Sequence, residues 1–389
     1  MFIRPLTPED RFPARMNALI AFHGRMSDPE EERADSLLEK TEAWGAFDES
    51  GVLMASLTDY DYRIVLDGTD VTAGGIGEAS TLPEFRGQGA MRALFEAFLP
   101  AARQRGEALS MLCPSSHSLY RKFGYEAVCT QNSYEMPSDA LADYRFEGRA
   151  ELLRPGDSAA EHTDLYNRFA RSCNLAATRT EERQKNLLGG PFWQTRKFCY
   201  LLREKDRAVA YVLFADDRTP AGSTLAVWDL AYDGRIGFEA ILGFLARFSL
   251  DYDRIELWTP SGVELLSLIR SPRQKEIKKR TLQNFMVRAV NVQRILEALK
   301  KPADAPFVLR VRDPLIPEND GTFRAEGSVV RKTEETPDME LSVAAFSQLA
   351  VGGTGLSEAI LRPDVEVYGN RETLERVFVR KSLFNTENF

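Results

Sequence analysis

Polar and apolar positions along the chain fall into blocks, and the order of those blocks occurs twice. Helical spacing predicts helices near 8–22 and 30–43, and alternating β-formers predict strands near 52–57, 61–66 and 71–81. A helix near 88–105, a strand near 107–113, a short helix near 116–123 and a strand near 125–134 complete the first set. The second set has strands near 197–204, 207–215 and 223–232, a helix near 236–249 and a strand near 253–259. Each set opens on a short strand running into Arg-Pro, at Phe2-Ile3-Arg4-Pro5 and Leu152-Leu153-Arg154-Pro155, with an acidic helix start behind it. A repeat of domain length points to duplication rather than a solenoid. A third region begins with a helix at Val292–Leu299 and the breaker KKPADAP at 300–306. Strands at 307–311 and 339–343, a hairpin signal at Asn319-Asp320-Gly321 and a helix near 344–351 ended by Gly352-Gly353 predict a small α+β unit.

At 389 residues the chain holds two or three domains. No run of 18 apolar residues occurs, and the N-terminus lacks the plan of a signal peptide, so a membrane partner is not expected. The four cysteines include no CxxC and the three histidines are scattered, which suggests reduced thiols, a cytoplasmic location and no metal site. With a net charge of −8 and one short basic stretch, KEIKKR at 275–280, the chain does not read as a nucleic-acid binder; that stretch reads as the solvated face of a strand or turn. Cys113, at the end of an expected core strand, reads as packing.

The most informative stretch is Thr81-Leu82-Pro83-Glu84-Phe85-Arg86-Gly87-Gln88-Gly89-Ala90-Met91, between a strand and a helix. Gly87 and Gly89 allow close backbone approach, the helix start offers unpaired N–H groups, and Arg86 adds a charge: together they suit a pyrophosphate. The same spacing also fits a glycine-rich turn with no ligand. Farther on, Ser118-Leu119-Tyr120-Arg121-Lys122-Phe123-Gly124-Tyr125 brings a phenol, which with a reference pKa of about 10 can protonate a departing thiolate. Tyr125 reads as a core aromatic.

Arg86-x-x-Gly89-x-Met91 resembles the pyrophosphate signature R/Q-x-x-G-x-G/A of the GCN5-related (GNAT) acetyltransferases, departing from it at Met91. The segment around Tyr120 resembles the family's tyrosine motif. The resemblance implies acetyl-CoA as co-substrate, held by Arg86, Gly87, Gly89 and Ala90, with Ala79 and Thr81 of a splayed strand on the pantetheine arm and Tyr120 as general acid. The whole chain is similar to the Eis (enhanced intracellular survival) family. That implies an α/β (α+β) fold of tandem GNAT folds plus a C-terminal sterol-carrier-protein-like α+β domain, divided at 1–146, 147–288 and 289–389. It also implies a homo-oligomer, hexameric in the family, and an amine acceptor of aminoglycoside, polyamine or lysine-peptide type. The second copy, Leu230-Ala231-Tyr232-Asp233-Gly234-Arg235, has lost the signature and reads as structural. In Eis proteins the terminal carboxylate of a Phe acts as general base, which assigns that role to Phe389; Asn388 stands where the family has an acidic residue. Asp28, Glu30 and Glu31 are candidates for the acceptor pocket. The competing class is a CoA- or lipid-binding protein without transferase activity.

Overall fold

The computed structural model describes residues 1–24, 41–219, 222–269, 276–283 and 285–387. The first part of the chain gives β1 (Phe2–Pro5), α1 (Pro8–Ala21), β2 (Thr41–Phe47), β3 (Leu53–Leu66), β4 (Thr69–Thr81), α2 (Ala90–Gln104), β5 (Leu109–Leu112), α3 (His117–Arg121) and β6 (Glu126–Val128). The middle gives β7 (Gln131–Pro137), β8 (Arg149–Leu152), α4 (Ala160–Ala170), β9 (Lys197–Glu204), β10 (Arg207–Thr219), β11 (Gly222–Tyr232), α5 (Gly234–Ala246), β12 (Arg254–Pro260), β13 (Lys278–Leu282) and β14 (Phe285–Ala289). The last part gives α6 (Val292–Ala298), β15 (Phe307–Arg312), β16 (Gly321–Glu326), β17 (Val329–Lys332), β18 (Met339–Ser342), α7 (Val343–Ala350) and β19 (Val365–Val367).

Three mixed sheets result, so the α/β class holds: β1-β2-β3-β4-β5-β14-β6, β13-β7-β12-β11-β10-β9-β8, and β17-β16-β15-β18-β19. The first two have the same order, strand for strand, with one exchange. β14 follows the second set in sequence but lies between β5 and β6, antiparallel to both. β7 follows the first set but lies beside β12 in the second sheet. Sheet membership thus crosses the expected division at 146/147. The single strand expected near 125–134 is two, and the turn between them passes the chain from one sheet to the other.

Other local readings change as well. The strands expected near 52–57 and 61–66 are one, β3, because its hairpin with β4 runs unbroken to Leu66↔Thr69. The helix expected near 30–43 falls mostly outside the described residues, and Thr41–Phe47 is a strand. Asn319-Asp320-Gly321 does not make a tight hairpin: β15 and β16 are joined by residues 313–320. Asn319 is instead fully buried, donating to Val290 O at 3.1 Å and accepting from Val292 N–H at 3.0 Å. Its amide bonds outcompete the local turn preference because they satisfy backbone groups that burial would otherwise orphan. Cys113 lies just past β5 and is exposed, not packed. Of the basic stretch, Lys278, Lys279 and Arg280 lie on a strand with exposed side chains, β13, at the edge of its sheet, Ile277 before it is buried, and Lys275 lies outside the described residues.

The first sheet is buried on both faces. On one, α2 brings down Leu94, Phe95, Phe98, Leu99 and Ala102, a helical stripe with no exposed surface; each large apolar side chain so buried contributes about 1.5–3 kcal/mol. On the other, Ile64, Met111 and Val287 join a core shared with Leu309, Phe346 and Leu349 of the third domain. No described helix is long and apolar enough to cross a membrane.

One polar pair sits inside this scaffold. Asp59 of β3 is 1 % exposed and Glu107 2 %, and Arg105 donates to Asp59 Oδ2 and to Glu107 Oε1, both at 2.7 Å. Their other oxygens meet over Gly74, where a Cβ would stand 2.3 Å from Asp59 Oδ1 and 2.6 Å from Glu107 Oε2. Burial, and then the Glu107 charge, push the Asp59 carboxyl up to about 9 against the pull of Arg105. The pair therefore holds a proton at neutral pH that the unfolded chain has released. A raised folded pKa stabilises most below the unfolded value near 4, and the contribution drains away as pH climbs towards 9, at up to about 1.4 kcal/mol per pH unit. Asp59→Asn, which keeps the shape and needs no shared proton, should narrow the fall in melting temperature between pH 6 and pH 9. An unchanged fall would remove the pair as its source.

Candidate active site

The site is built where the first sheet opens. β4 pairs with β5 only from Ala73↔Leu109 to Ile76↔Leu112, yet β4 runs on to Thr81. Its last five residues diverge from β5, and a wedge opens between the two strands. At the opening the β3/β4 register slips between Ser56 and Thr58, and Glu78 takes a left-handed φ of 53°. This bulge re-aims the backbone around Ala79. Glu78 is fixed by Arg15 Nη1 at 2.6 Å and by Thr58 Oγ1, which donates at 3.1 Å.

Beyond Thr81 the chain makes one 3-10 turn, Pro83–Phe85, and enters α2 through Arg86-Gly87-Gln88-Gly89. Gly87 and Gly89 have φ of 79° and 84°, and a Cβ on either would meet nothing within 4 Å. Glycine is needed there for conformation, and the space above it is open. Gly89 caps α2, whose first N–H groups have no acceptors within the helix and point out of its N-terminus. Arg86 is exposed, with Nε 3.4 Å from Thr81 O.

The wedge and the loop face one cavity of about 1040 Å³. Ala79, Thr81, Arg86, Gly87, Gly89 and Ala90 all line it, and so does Tyr120 from across the wedge. Tyr120 is 5 % exposed, with its ring edge-on to Phe95 (6.0 Å) and Tyr125 (6.2 Å). Burial raises its pKa, and a hydrogen bond to Ser115 opposes that rise. Tyr125 is fully buried, its hydroxyl 2.7 Å from Ser110 Oγ. The helix carrying Tyr120 is held from behind. Arg288 of β14, fully buried, donates to Phe123 O at 2.6 Å and to Asp313 Oδ1 at 2.7 Å. Thus the exchanged strand and the third domain together fix the turn that follows Tyr120.

Sequence reasoning missed four contributors. Glu78 gave no signal beyond its place among small residues. Pro314 and Leu315, from the β15–β16 loop, form part of the cavity wall, and Lys122 lies at its edge. Nothing local connects residue 314 with residue 120.

Phe389 and Asn388 lie outside the described residues, as do Asp28, Glu30 and Glu31. The chain leading to Phe389 is held tightly. Ser382 O accepts from Asn174 N–H, Leu383 exchanges hydrogen bonds with Ser261, and Phe384 is fully buried. Arg179 then bonds Thr386 Oγ1 at 2.6 Å and Glu387 Oε1 at 2.7 Å. Arg183 stacks over Tyr62 of β3 at 4.0 Å and reaches Glu387 at 3.8 Å. The last described residue therefore stands beside β3, the strand that carries Thr58 and Tyr60 towards the bulge.

The second sheet repeats the wedge. β11 pairs with β12 only from Thr224↔Arg254 to Val227↔Leu257, with a register slip beside Leu213. Here the opening is filled by the chain's own end: Leu383 bonds Ser261 just past β12, and Thr386 bonds Asp229 of β11 at 2.7 Å. At its loop Asp233 takes the place before the helix and pairs with Arg207. A plugged wedge and an acidic loop leave no room for a pyrophosphate-bearing arm.

Residues 3–128 match the family model of an acetyltransferase (GNAT) domain, and residues 292–384 that of a sterol carrier protein domain. An uncharacterized N-acetyltransferase of Streptomyces coelicolor is 24% identical over 334 residues, covering 81% of this chain and 80% of the relative. The crystal structure of Eis1 from Mycobacterium abscessus superposes over 100% of both chains with a TM-score of 0.82 at 24% identity. A probable N-acyltransferase from Enterococcus faecalis gives 0.86 at 21% identity, over 100% of this chain and 99% of that one.

Proposed function

On the premise that the chain is a GNAT-family acetyltransferase joined to a sterol carrier protein domain, with the fold of Eis1, we propose that it transfers the acetyl group of acetyl-CoA directly to a primary amine. The observation that carries this reading is the meeting, in one cavity, of the Arg86–Ala90 loop, the diverging end of β4 and the Tyr120 hydroxyl. In this proposal the pyrophosphate takes the N–H groups at the start of α2 and the charge of Arg86. The pantetheine arm runs along Ala79–Thr81 in the place of a missing strand. The thioester carbonyl meets backbone N–H near Ala79, which stabilises the oxyanion as the amine adds. The tetrahedral intermediate collapses with cleavage of the C–S bond, and Tyr120 gives its proton to the thiolate. The amine must shed a proton to attack, and the α-carboxylate of Phe389 is proposed to take it.

The acceptor class in this reading is a small polycation or a lysine side chain, of the aminoglycoside, polyamine or lysine-peptide kind. In this proposal Glu78 and Tyr60, on the two strands beside the bulge, face the acceptor; burial first and the Glu78 charge second push the Tyr60 phenol up to about 12, so it stays neutral. A homohexamer in the cytoplasm belongs to the same proposal, from the likeness to Eis proteins.

The test is release of free thiol from acetyl-CoA by the purified protein with aminoglycosides, polyamines and lysine peptides in turn. Amine-dependent release is expected and ranks the acceptors. Binding of acetyl-CoA with no release on any amine would favour a CoA-binding scaffold, and no binding would end the proposal.

A further inference from the structure

The donor cavity does not end at Tyr120. It continues into a second cleft of about 300 Å³, with which it shares Lys122, Phe123, Pro314 and Leu315. This cleft lies between the catalytic domain and the sterol carrier domain, and its charge is opposite to that of the whole chain. Five cations line it against three carboxylates, in a protein whose net charge is −8.

Most of these charges are committed to each other. Arg288 is paired with Asp313, and Arg362 with Asp364 and Glu126; Arg121 also donates to Glu126. Two cations remain. Lys122 is exposed and has no ion-pair partner among the described residues. Arg312 is half exposed, and its carboxylate neighbour is Glu340 at 3.3 Å, which does not line the cleft. The charge outside these pairs thus comes from one cation of each domain, Lys122, which also lines the donor cavity, and Arg312, which lines the cleft beside it.

CoA carries, besides its pyrophosphate, a phosphate monoester on the ribose 3′ oxygen. Arg86 and the α2 N-terminus serve the pyrophosphate, and Arg92, the next cation along the chain, in the first turn of α2, is paired with Glu96 at 2.8 Å. We infer that Lys122 and Arg312 form the subsite for the 3′-phosphate, so that the sterol carrier domain takes part in recognising the acyl donor. This rests on the donor reading above and adds to it. A dianion within reach of two cations is held by charge-assisted hydrogen bonds, which discriminate against a ligand lacking the phosphate.

Calorimetric titration of the full chain with CoA and with 3′-dephospho-CoA tests it. The wild type is expected to bind CoA at least tenfold more tightly. The double variant Lys122→Gln/Arg312→Gln is expected to bind CoA as weakly as the wild type binds 3′-dephospho-CoA. Equal affinity of the wild type for both ligands would overturn the subsite and leave the donor reading standing. So would a preference abolished by Arg92→Gln and untouched by the double variant. Failure of the wild type to bind either ligand would overturn the donor reading itself.

Discussion

Arg179→Met is expected to lower the stability of the folded chain by about 3–5 kcal/mol, the cost typical of removing one partner from a buried ion pair. The Arg179 guanidinium is fully buried and lies 3.6 Å above the Tyr166 ring. It donates to Asp229 Oδ2 at 2.9 Å, Glu387 Oε1 at 2.7 Å, Tyr211 Oη at 3.0 Å and Gln184 Oε1 at 3.1 Å. Methionine fills much of the volume and answers none of these acceptors. Two buried carboxylates would then face each other without a cation, and at least one must take up a proton or drag in water. The chain end loses its anchor at the same time, because Thr386 and Glu387 both rest on this guanidinium. A shift of the denaturant midpoint to lower concentration is the readout. Adding Asp229→Asn to the Met variant should recover part of the loss, since one of the orphaned charges is gone. A midpoint that does not move in Arg179→Met would mean the network contributes nothing net.

Tyr120→Phe is expected to lower kcat by about 10²–10⁴, the usual worth of a positioned general acid, with KM for acetyl-CoA nearly constant. The substitution keeps the ring and with it the edge contacts to Phe95 and Tyr125 that hold α3 in place. It removes the oxygen that would protonate the leaving thiolate. Because burial raises the Tyr120 pKa, the wild-type phenol keeps its proton through neutral pH, and the alkaline fall of kcat should be displaced upward from the ordinary tyrosine range. In the Phe variant that alkaline limb should vanish. Unchanged kcat and an unchanged pH profile would reduce Tyr120 to a packing residue.

These two residues mark how far the sequence could be read. Tyr120 and the Arg86–Ala90 loop are legible because their roles rest on short motifs at fixed spacing, and the chain brings them to one cavity by local strand–turn–helix connections. The duplication is legible for the same reason: β3-β4-α2-β5 and β10-β11-α5-β12 are each read from local periodicity, and they build sheets of the same order. Arg179 is different. One arginine in a polar stretch looks like a surface charge, and its burial follows from Asp229, Glu387 and Tyr211, which approach from 50, 208 and 32 residues away. Asn319 misled for a related reason, since its side chain serves the start of α6 and the residue just past β14 rather than its own turn. The strand Phe285–Ala289 is absent from the sequence reading, and its place in the first sheet could not have been read there, because pairing between strands distant in sequence leaves no local trace.

The placement of that strand constrains how the protein can be made. On a ribosome adding about 5–20 residues per second, the chain emerges N-terminus first. β5 and β6 are complete by residue 128, but the strand that fits between them, β14, begins at residue 285. For roughly 8–30 s at that rate the first sheet has a gap at its sixth position, and Arg288, which fixes the turn behind Tyr120, has not yet been synthesised. Meanwhile β7, already synthesised, waits for β12. Neither copy can close before most of the other exists, so the two must reach the native state as a single folding unit, and a nascent chain halted at residue 146 would present the β14-facing edges of β5 and β6 and both edges of β7 unpaired to whatever chaperone meets it.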